Sequence, residues 1–95
     1  MNNVHLLFSN MITLEDTSKM KLDYNLTEKT SEESNQSVYG IQILKFHKED
    51  IETEELSGVS YSRDTVVSII NKLYNYEVTP ISMVEVVDQL ITELV

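Results

Sequence analysis

Cysteine is absent from the 95-residue sequence. Disulfides, thiolate metal sites and cysteine nucleophiles are therefore excluded, and the absence is typical of a protein in a reducing compartment. No stretch approaches the run of about 20 apolar residues that crosses a bilayer as a helix. The first residues also lack the positive charge that opens a secretion signal. From these absences we expect a cytoplasmic protein that does not enter a membrane.

Residues suited to catalysis are equally scarce. Glycine occurs only at Gly40 and Gly58, so a glycine-rich phosphate loop cannot be built. The only histidines are His5 and His47, and a zinc site would need carboxylates from elsewhere in the chain. Residues 47–50 contain candidate ligands but are more typical of a charged turn. We predict no enzyme activity, no metal and no cofactor, and keep an enzyme that uses His47 and nearby carboxylates as an alternative.

Positive charge is also scarce. The chain has 7 basic and 16 acidic residues, which gives a net charge of -9. Residues 1–50 carry a net -3 (8 acidic, 5 basic) and residues 51–95 a net -6 (8 acidic, 2 basic). Such a field repels phosphate backbones and anionic lipids, so we expect no direct contact with nucleic acid or membranes. Two explanations stay open: the charge serves solubility alone, or it attracts a basic protein partner.

Three segments have the patterns of β-strands. Apolar and polar residues alternate in Met20–Leu26. In Val38–Lys48 the apolar residues change from one face to the other, which suggests either a bulge near Ile43 or a strand covered on both sides. Ile51–Val59 mixes apolar residues with glutamates and predicts a third, more exposed strand. The polar segment Thr27–Ser37 between the first two predicts a hairpin loop. Gly40 lies inside the second segment, where we expect a bulge or close packing against its missing side chain.

The first 19 residues are ambiguous. Val4, Leu6 and Phe8 alternate with polar or smaller neighbours, which fits a strand. An ordered N-terminal arm fits equally well. The predicted organisation is therefore an arm or extra strand over residues 1–19 and a single α+β domain over residues 20–95.

Two helices are predicted at the C-terminal end. Ser62 is a suitable N-cap for the first, with Asp64 placed favourably for the helix dipole. Apolar residues then recur at helical spacing until about Asn75. Thr79 and Pro80 form the start of the second helix, because proline is well tolerated at the first helical position.

The second helix has an unusually wide apolar arc, about half of its circumference at roughly 100° per residue. Either the sheet and the first helix bury it all, or part of it contacts a partner. Tyrosines near the connection between the helices are natural interface anchors. The candidate partner-binding residues are Tyr74, Tyr76, Met83, Val86, Leu90 and Leu94.

Several short motifs lie along the chain: the strand Val38–Ile43, Val59-Ser60, the helix Asp64–Leu73, and Thr79-Pro80 followed by Val84–Asp88. Together these motifs resemble a family of small uncharacterised proteins from spore-forming, low-GC Gram-positive anaerobes. The resemblance covers roughly residues 20–92. The resemblance implies a strand followed by two helices, and it implies no activity, since the family is a domain of unknown function.

The patterns together predict an α+β fold: an antiparallel sheet of about three strands, followed by a two-helix hairpin packed on one face. The predicted function is a non-enzymatic, protein-binding regulatory module. Its partner is either another protein, of basic character, or a second copy of the chain. The alternative is an acidic inhibitor that imitates nucleic acid. That inhibitor would need Glu52, Glu54, Glu55, Glu85 and Asp88 along one surface.

Overall fold

The computed structural model describes residues 2–94, and side chains over residues 3–93. Four strands come first: β1 (Asn2–Thr13), β2 (Lys19–Thr30), β3 (Ser37–His47) and β4 (Asp50–Ser60). Two helices follow, α1 (Arg63–Asn75) and α2 (Pro80–Leu94). The strands are antiparallel neighbours in the order β1-β2-β3-β4. The predicted α+β class and the order of sheet and helices are confirmed, and the predicted number of strands was one too low.

The missing strand is β1, which pairs with β2 from Asn2 to Thr13. The strands are also longer than predicted, because the polar ends of β2 and β3 pair with each other as far as Thr30 and Ser37. Thr30 and Ser37 lie 3.1 Å apart between their hydroxyl oxygens. The loop therefore shrinks to residues 31–36. The extra length of the strands depends on backbone hydrogen bonds between β2 and β3, and the polarity of the side chains in this segment does not reveal such pairing.

The hydrophobic core lies between one face of the sheet and the two helices. α1 lies over β2 and β3, and α2 lies over β3 and β4. Each fully buried aliphatic or aromatic side chain contributes about 1.5–3 kcal/mol. The core side chains are Met20, Leu22, Tyr24, Leu26, Ile41, Ile43, Val66, Ile69, Ile70, Leu73, Val78, Met83, Val87 and Leu90.

Gly40 confirms the expected close packing. The register of β3 against β4 shifts between Tyr39 and Ile41, which marks a bulge at this point. A Cβ atom on Gly40 would lie 2.6 Å from the hydroxyl oxygen of Thr27 and nearer still to the carbonyl oxygen of Leu56. Gly58, on the bulged strand, has a φ of +65°. Both glycines therefore allow β4 to lie close to β3.

No helix within residues 2–94 is long and apolar enough to cross a membrane.

Candidate protein-binding surfaces

Tyr74 is half-buried and packs against the hydrophobic core. Its ring stacks on Phe8 of β1 at a centroid distance of 4.7 Å and meets Tyr24 of β2 edge-on at 6.0 Å. The side-chain amide of Asn10 donates a hydrogen bond to the Tyr74 carbonyl oxygen at 3.0 Å. These contacts attach the end of α1 to β1 and β2. Tyr74 is therefore better placed to hold the helices on the sheet than to contact a partner.

Tyr24 completes this attachment. Its hydroxyl donates to the carbonyl oxygen of Val78, in the connection between the helices, at 2.9 Å. The side chain has no exposed surface, and burial raises the pKa of Tyr24 from 10.0 to about 12. The hydroxyl therefore stays protonated, as its donor role requires.

The apolar side chains of α2 point in two directions, some toward the core and others toward solvent. Met83, Val87 and Leu90 face inward, with exposed fractions of 0%, 1% and 9%. This corrects the expectation that Met83 and Leu90 form an open contact surface, because the sheet and α1 cover them. Val86 is half-buried, and the side chain of Leu94 lies outside the described residues.

A second apolar set faces outward and was missed. Ile81, Val84 and Ile91 have exposed fractions of 89%, 49% and 36%. Their spacing places them on one stripe of the helix, because residues three, seven and ten apart share a face. The spacing was visible in the sequence. Which half of the arc would be covered was not, because that depends on where the sheet lies.

Among the candidates whose side chains the structure describes, Tyr76 alone projects freely, with 71% of its surface exposed. It borders a shallow depression of about 320 Å³ together with Val86 and Leu90. Three of the predicted residues are therefore brought together here. Gln89 and Glu93 form the polar part of the rim.

A larger groove runs between α2 and β4. It has a volume of about 380 Å³ and is open to solvent along its length. We call it the α2–β4 groove. Its lining residues are Leu56, Ser57, Gly58, Val59, Val84, Glu85, Val87, Asp88 and Ile91. Ile81 lies beyond one end, beside Glu52 and Glu54 of β4.

Acidic side chains surround this groove. β4 contains four acidic residues and α2 contains three, and neither element contains a basic one. Glu52 and Glu54 lie opposite Lys45 and Ile43 of β3, which places both carboxylates on the helix side of the sheet. Lys45 offsets part of this charge, at 3.8 Å from Glu52.

Glu55 lies on the other face of the sheet. Its carboxylate accepts a hydrogen bond from Gln42 at 3.0 Å, and Gln42 in turn accepts one from Asn25 at 2.9 Å. Four of the five acidic residues required by the nucleic-acid-mimic hypothesis therefore lie around the α2–β4 groove. Glu55 does not.

His47 belongs to a contact between two turns. Its Nε2 atom is 3.0 Å from the hydroxyl of Ser18, and Asp16 accepts hydrogen bonds from the hydroxyl and the backbone N–H of Ser18 at 2.5 and 2.9 Å. The Ser18 hydroxyl bond lowers the pKa of Asp16. Lys48 lies 3.8 Å from the same carboxylate. Asp16 thus binds the serine and not the histidine, unlike a catalytic triad, where the acid orients the base.

Residues 48 and 49 form the turn between β3 and β4, as the sequence indicated. Within residues 2–94, no group of three or more His, Cys, Asp or Glu side chains is arranged to hold a metal ion.

Comparison with known proteins gives one result. No curated protein and no solved structure matches the chain significantly. A family model does match, over residues 3–93, so the match includes β1, which the sequence resemblance left out. Because this match covers nearly the whole chain, the protein belongs to the Family of unknown function (DUF6514).

Proposed function

We propose that the protein is a non-enzymatic binding module and that its α2–β4 groove binds a basic, amphipathic segment of a protein partner. The exposed stripe of Ile81, Val84 and Ile91 is the observation that carries this proposal. A contiguous apolar surface with a polar rim is typical of an interaction site. Nothing in the local fold requires three large aliphatic side chains at these exposed positions.

Charge complementarity indicates the chemistry of the partner. Glu85 and Asp88 line the groove and Glu52 and Glu54 lie at its end, while α2 and β4 offer no positive charge. A basic segment would approach faster in this field. The last turn of α2 also lacks a basic residue, so a positive group of the partner near this end would stabilise the helix dipole.

A substitution that introduces a positive charge into the groove tests the proposal. Binders would be captured from native cells with the wild-type chain, and their affinity for purified variants would be measured by calorimetry. We expect Val84→Lys or Ile91→Lys to weaken binding at least tenfold, because each places a charge in the apolar stripe. Asn71→Lys is the matched control, since it adds the same charge on the exposed side of α1.

Salt dependence gives the second measurement. The affinity should fall as ionic strength rises, because screening weakens the attraction between the acidic rim and a basic partner. A binder whose affinity is equal for the wild type, Val84→Lys and Asn71→Lys would contradict the proposal. So would an acidic partner bound independently of salt.

Nucleic-acid mimicry is the second candidate, favoured by the four carboxylates around the groove. A mimic would occupy the nucleic-acid site of its target, so DNA or RNA should displace it competitively. Its affinity for the target should also fall when Glu52 and Glu54 are replaced by glutamine. The affinity should change little when Val84 is replaced. The stripe of Ile81, Val84 and Ile91 favours the first proposal, because a phosphate backbone presents no apolar equivalent.

A further inference from the structure

β1 is an edge strand without charge. It pairs with β2 alone in the sheet order, and Asn2–Thr13 contains no Asp, Glu, Lys or Arg. We call the face of the sheet that points away from the helices the open face. The side chains of β1 on this face include Val4, Leu6 and Met11, with exposed fractions of 56%, 59% and 61%. Edge strands of this kind normally carry charges or are covered, because their free N–H and C=O groups pair readily with another strand.

The middle of β1 contains a bulge that changes which residues share a face. The register against β2 skips Leu7, between Leu6 and Phe8, and Leu7 and Phe8 both pack against the core. In a regular strand, residues on one face are separated by even numbers. Across this bulge the separation is odd, so Leu6 and Ser9 both lie on the open face, opposite Asn25 and Asp23.

This change from even to odd spacing selects one register in which two copies of β1 can pair with each other. If two β1 strands pair antiparallel with Leu6 opposite Ser9, Val4 lies opposite Met11, and every pair joins side chains from the same face of the sheet. The same register aligns Asn2 with Thr13 and therefore overlaps the two strands over their whole length. A bulge normally turns an edge away from a partner, but here the two bulges lie opposite each other at the symmetry axis.

We propose that two copies of this chain associate through antiparallel β1–β1 pairing, with Val4 opposite Met11 of the second copy, to form a continuous sheet of eight strands (4 + 4). The two-fold axis is perpendicular to the sheet, so both helical layers lie on the same side. The interface lies at the edge opposite β4. It is therefore independent of the α2–β4 groove and of the proposed function.

Electrostatics favour this edge for self-association. Each copy carries a net charge of -9, so contact between most surfaces is repulsive. Pairing through β4 would bring Glu52 and Glu54 of both copies together, and like charges opposite each other destabilise a sheet. The β1 edge brings together only neutral side chains and His5.

The size of the edge predicts a weak dimer. A strand of this length extends about 40 Å, and a sheet with its side chains is about 10 Å thick, which gives about 800 Å² buried in total. Stable interfaces bury about 1,200–2,000 Å². We therefore expect a reversible dimer that dissociates at micromolar concentrations, visible as a concentration-dependent mass in analytical ultracentrifugation.

A pair of double variants tests the register. In Val4→Lys/Met11→Lys, two lysines face each other on each side of the axis, and we expect a monomer at every concentration. In Val4→Lys/Met11→Glu, the same positions form two opposite-charge pairs, and we expect the dimer to persist with the wild-type net charge. Both positions are more than half exposed, so the monomer fold should tolerate either change.

Cross-linking provides a test that does not depend on charge. Because the chain has no native cysteine, Val4→Cys and Met11→Cys each introduce one reactive thiol. A short bifunctional thiol reagent should link a mixture of the two variants and neither variant alone. In this register two copies of position 4 lie about 23 Å apart, too far for a short reagent.

Three outcomes would overturn the proposal: a wild type that stays monomeric up to millimolar concentration, equal dimerisation of the two double variants, or cross-linking of Val4→Cys with itself. The second outcome would show a dimer through another surface, and the third a different register.

Discussion

The two edges of the sheet differ in how they meet solvent. β4 carries Asp50, Glu52, Glu54 and Glu55, is bulged near Gly58 and lies beside α2. β1 contains no Asp, Glu, Lys or Arg, and it exposes three large apolar side chains. Carboxylates and bulges protect an edge against pairing. The comparison teaches that one sheet can present a surface suited to a charged partner on one side and a pairing edge on the other.

The β4 edge depends on a glycine, and replacing it should give the largest effect. Gly40→Ala places a methyl group against the Leu56 carbonyl oxygen and the Thr27 hydroxyl. Because the obstructing oxygen belongs to the backbone, β4 must move, and we expect a loss of about 3 kcal/mol in the free energy of unfolding. Urea denaturation would measure it.

Gly58→Ala is the matched control. Nothing lies within 4 Å of the added methyl group, and only the φ of +65° is strained, so the loss should be about 1 kcal/mol. An equal loss for the two variants would contradict the close packing at Gly40.

Alkaline pH should weaken the attachment of the helices to β1 and β2. The folded state raises the pKa of Tyr24 from 10.0 to about 12. Its stabilisation is therefore complete below pH 10 and is lost as the pH rises toward 12, with a total of about 3 kcal/mol. Denaturation between pH 9 and 12, compared with Tyr24→Phe, would measure it. If the two proteins lose stability in parallel, other groups cause the loss.

The aromatic stack at β1 makes a smaller contribution. Phe8→Leu removes the ring that stacks on Tyr74 but keeps an apolar side chain. We expect a loss of about 1 kcal/mol, since aromatic pairs contribute about 0.5–1.5 kcal/mol beyond burial. Phe46→Leu, on the open face, is the control and should cost less. The reverse order would show that the stack does not hold β1.

Neutralising the β4 edge would test the comparison with the smallest change in stability. The triple variant Glu52→Gln, Glu54→Gln and Glu55→Gln should alter the free energy of unfolding by less than about 0.5 kcal/mol per site, as exposed positions usually do. The variant should, however, associate more strongly than the wild type, because the β4 edge loses the carboxylates that oppose pairing with another strand. Light scattering at several concentrations would show this, and unchanged scattering would mean that the bulge alone protects β4.

Local patterns predicted much of the fold. Ser62 caps α1, its hydroxyl accepting a hydrogen bond from the N–H of Thr65, and α2 begins at Pro80. Each of these signals acts on residues only a few positions away in the chain, so no distant contact can override it easily. The number of strands was harder to predict, because β1 is held as a strand by its pairing with β2 rather than by its own sequence.

The candidate surface was predictable only in part. The sequence by itself determined that α2 has more apolar surface than one neighbour can bury, because helical spacing follows from covalent geometry. It also determined the separation of charge between β1 and β4. Tertiary structure alone decided that Met83 and Leu90 are covered while Ile81, Val84 and Ile91 are open. That outcome depends on the angle at which α2 crosses the sheet, which is set by packing between residues far apart in the chain.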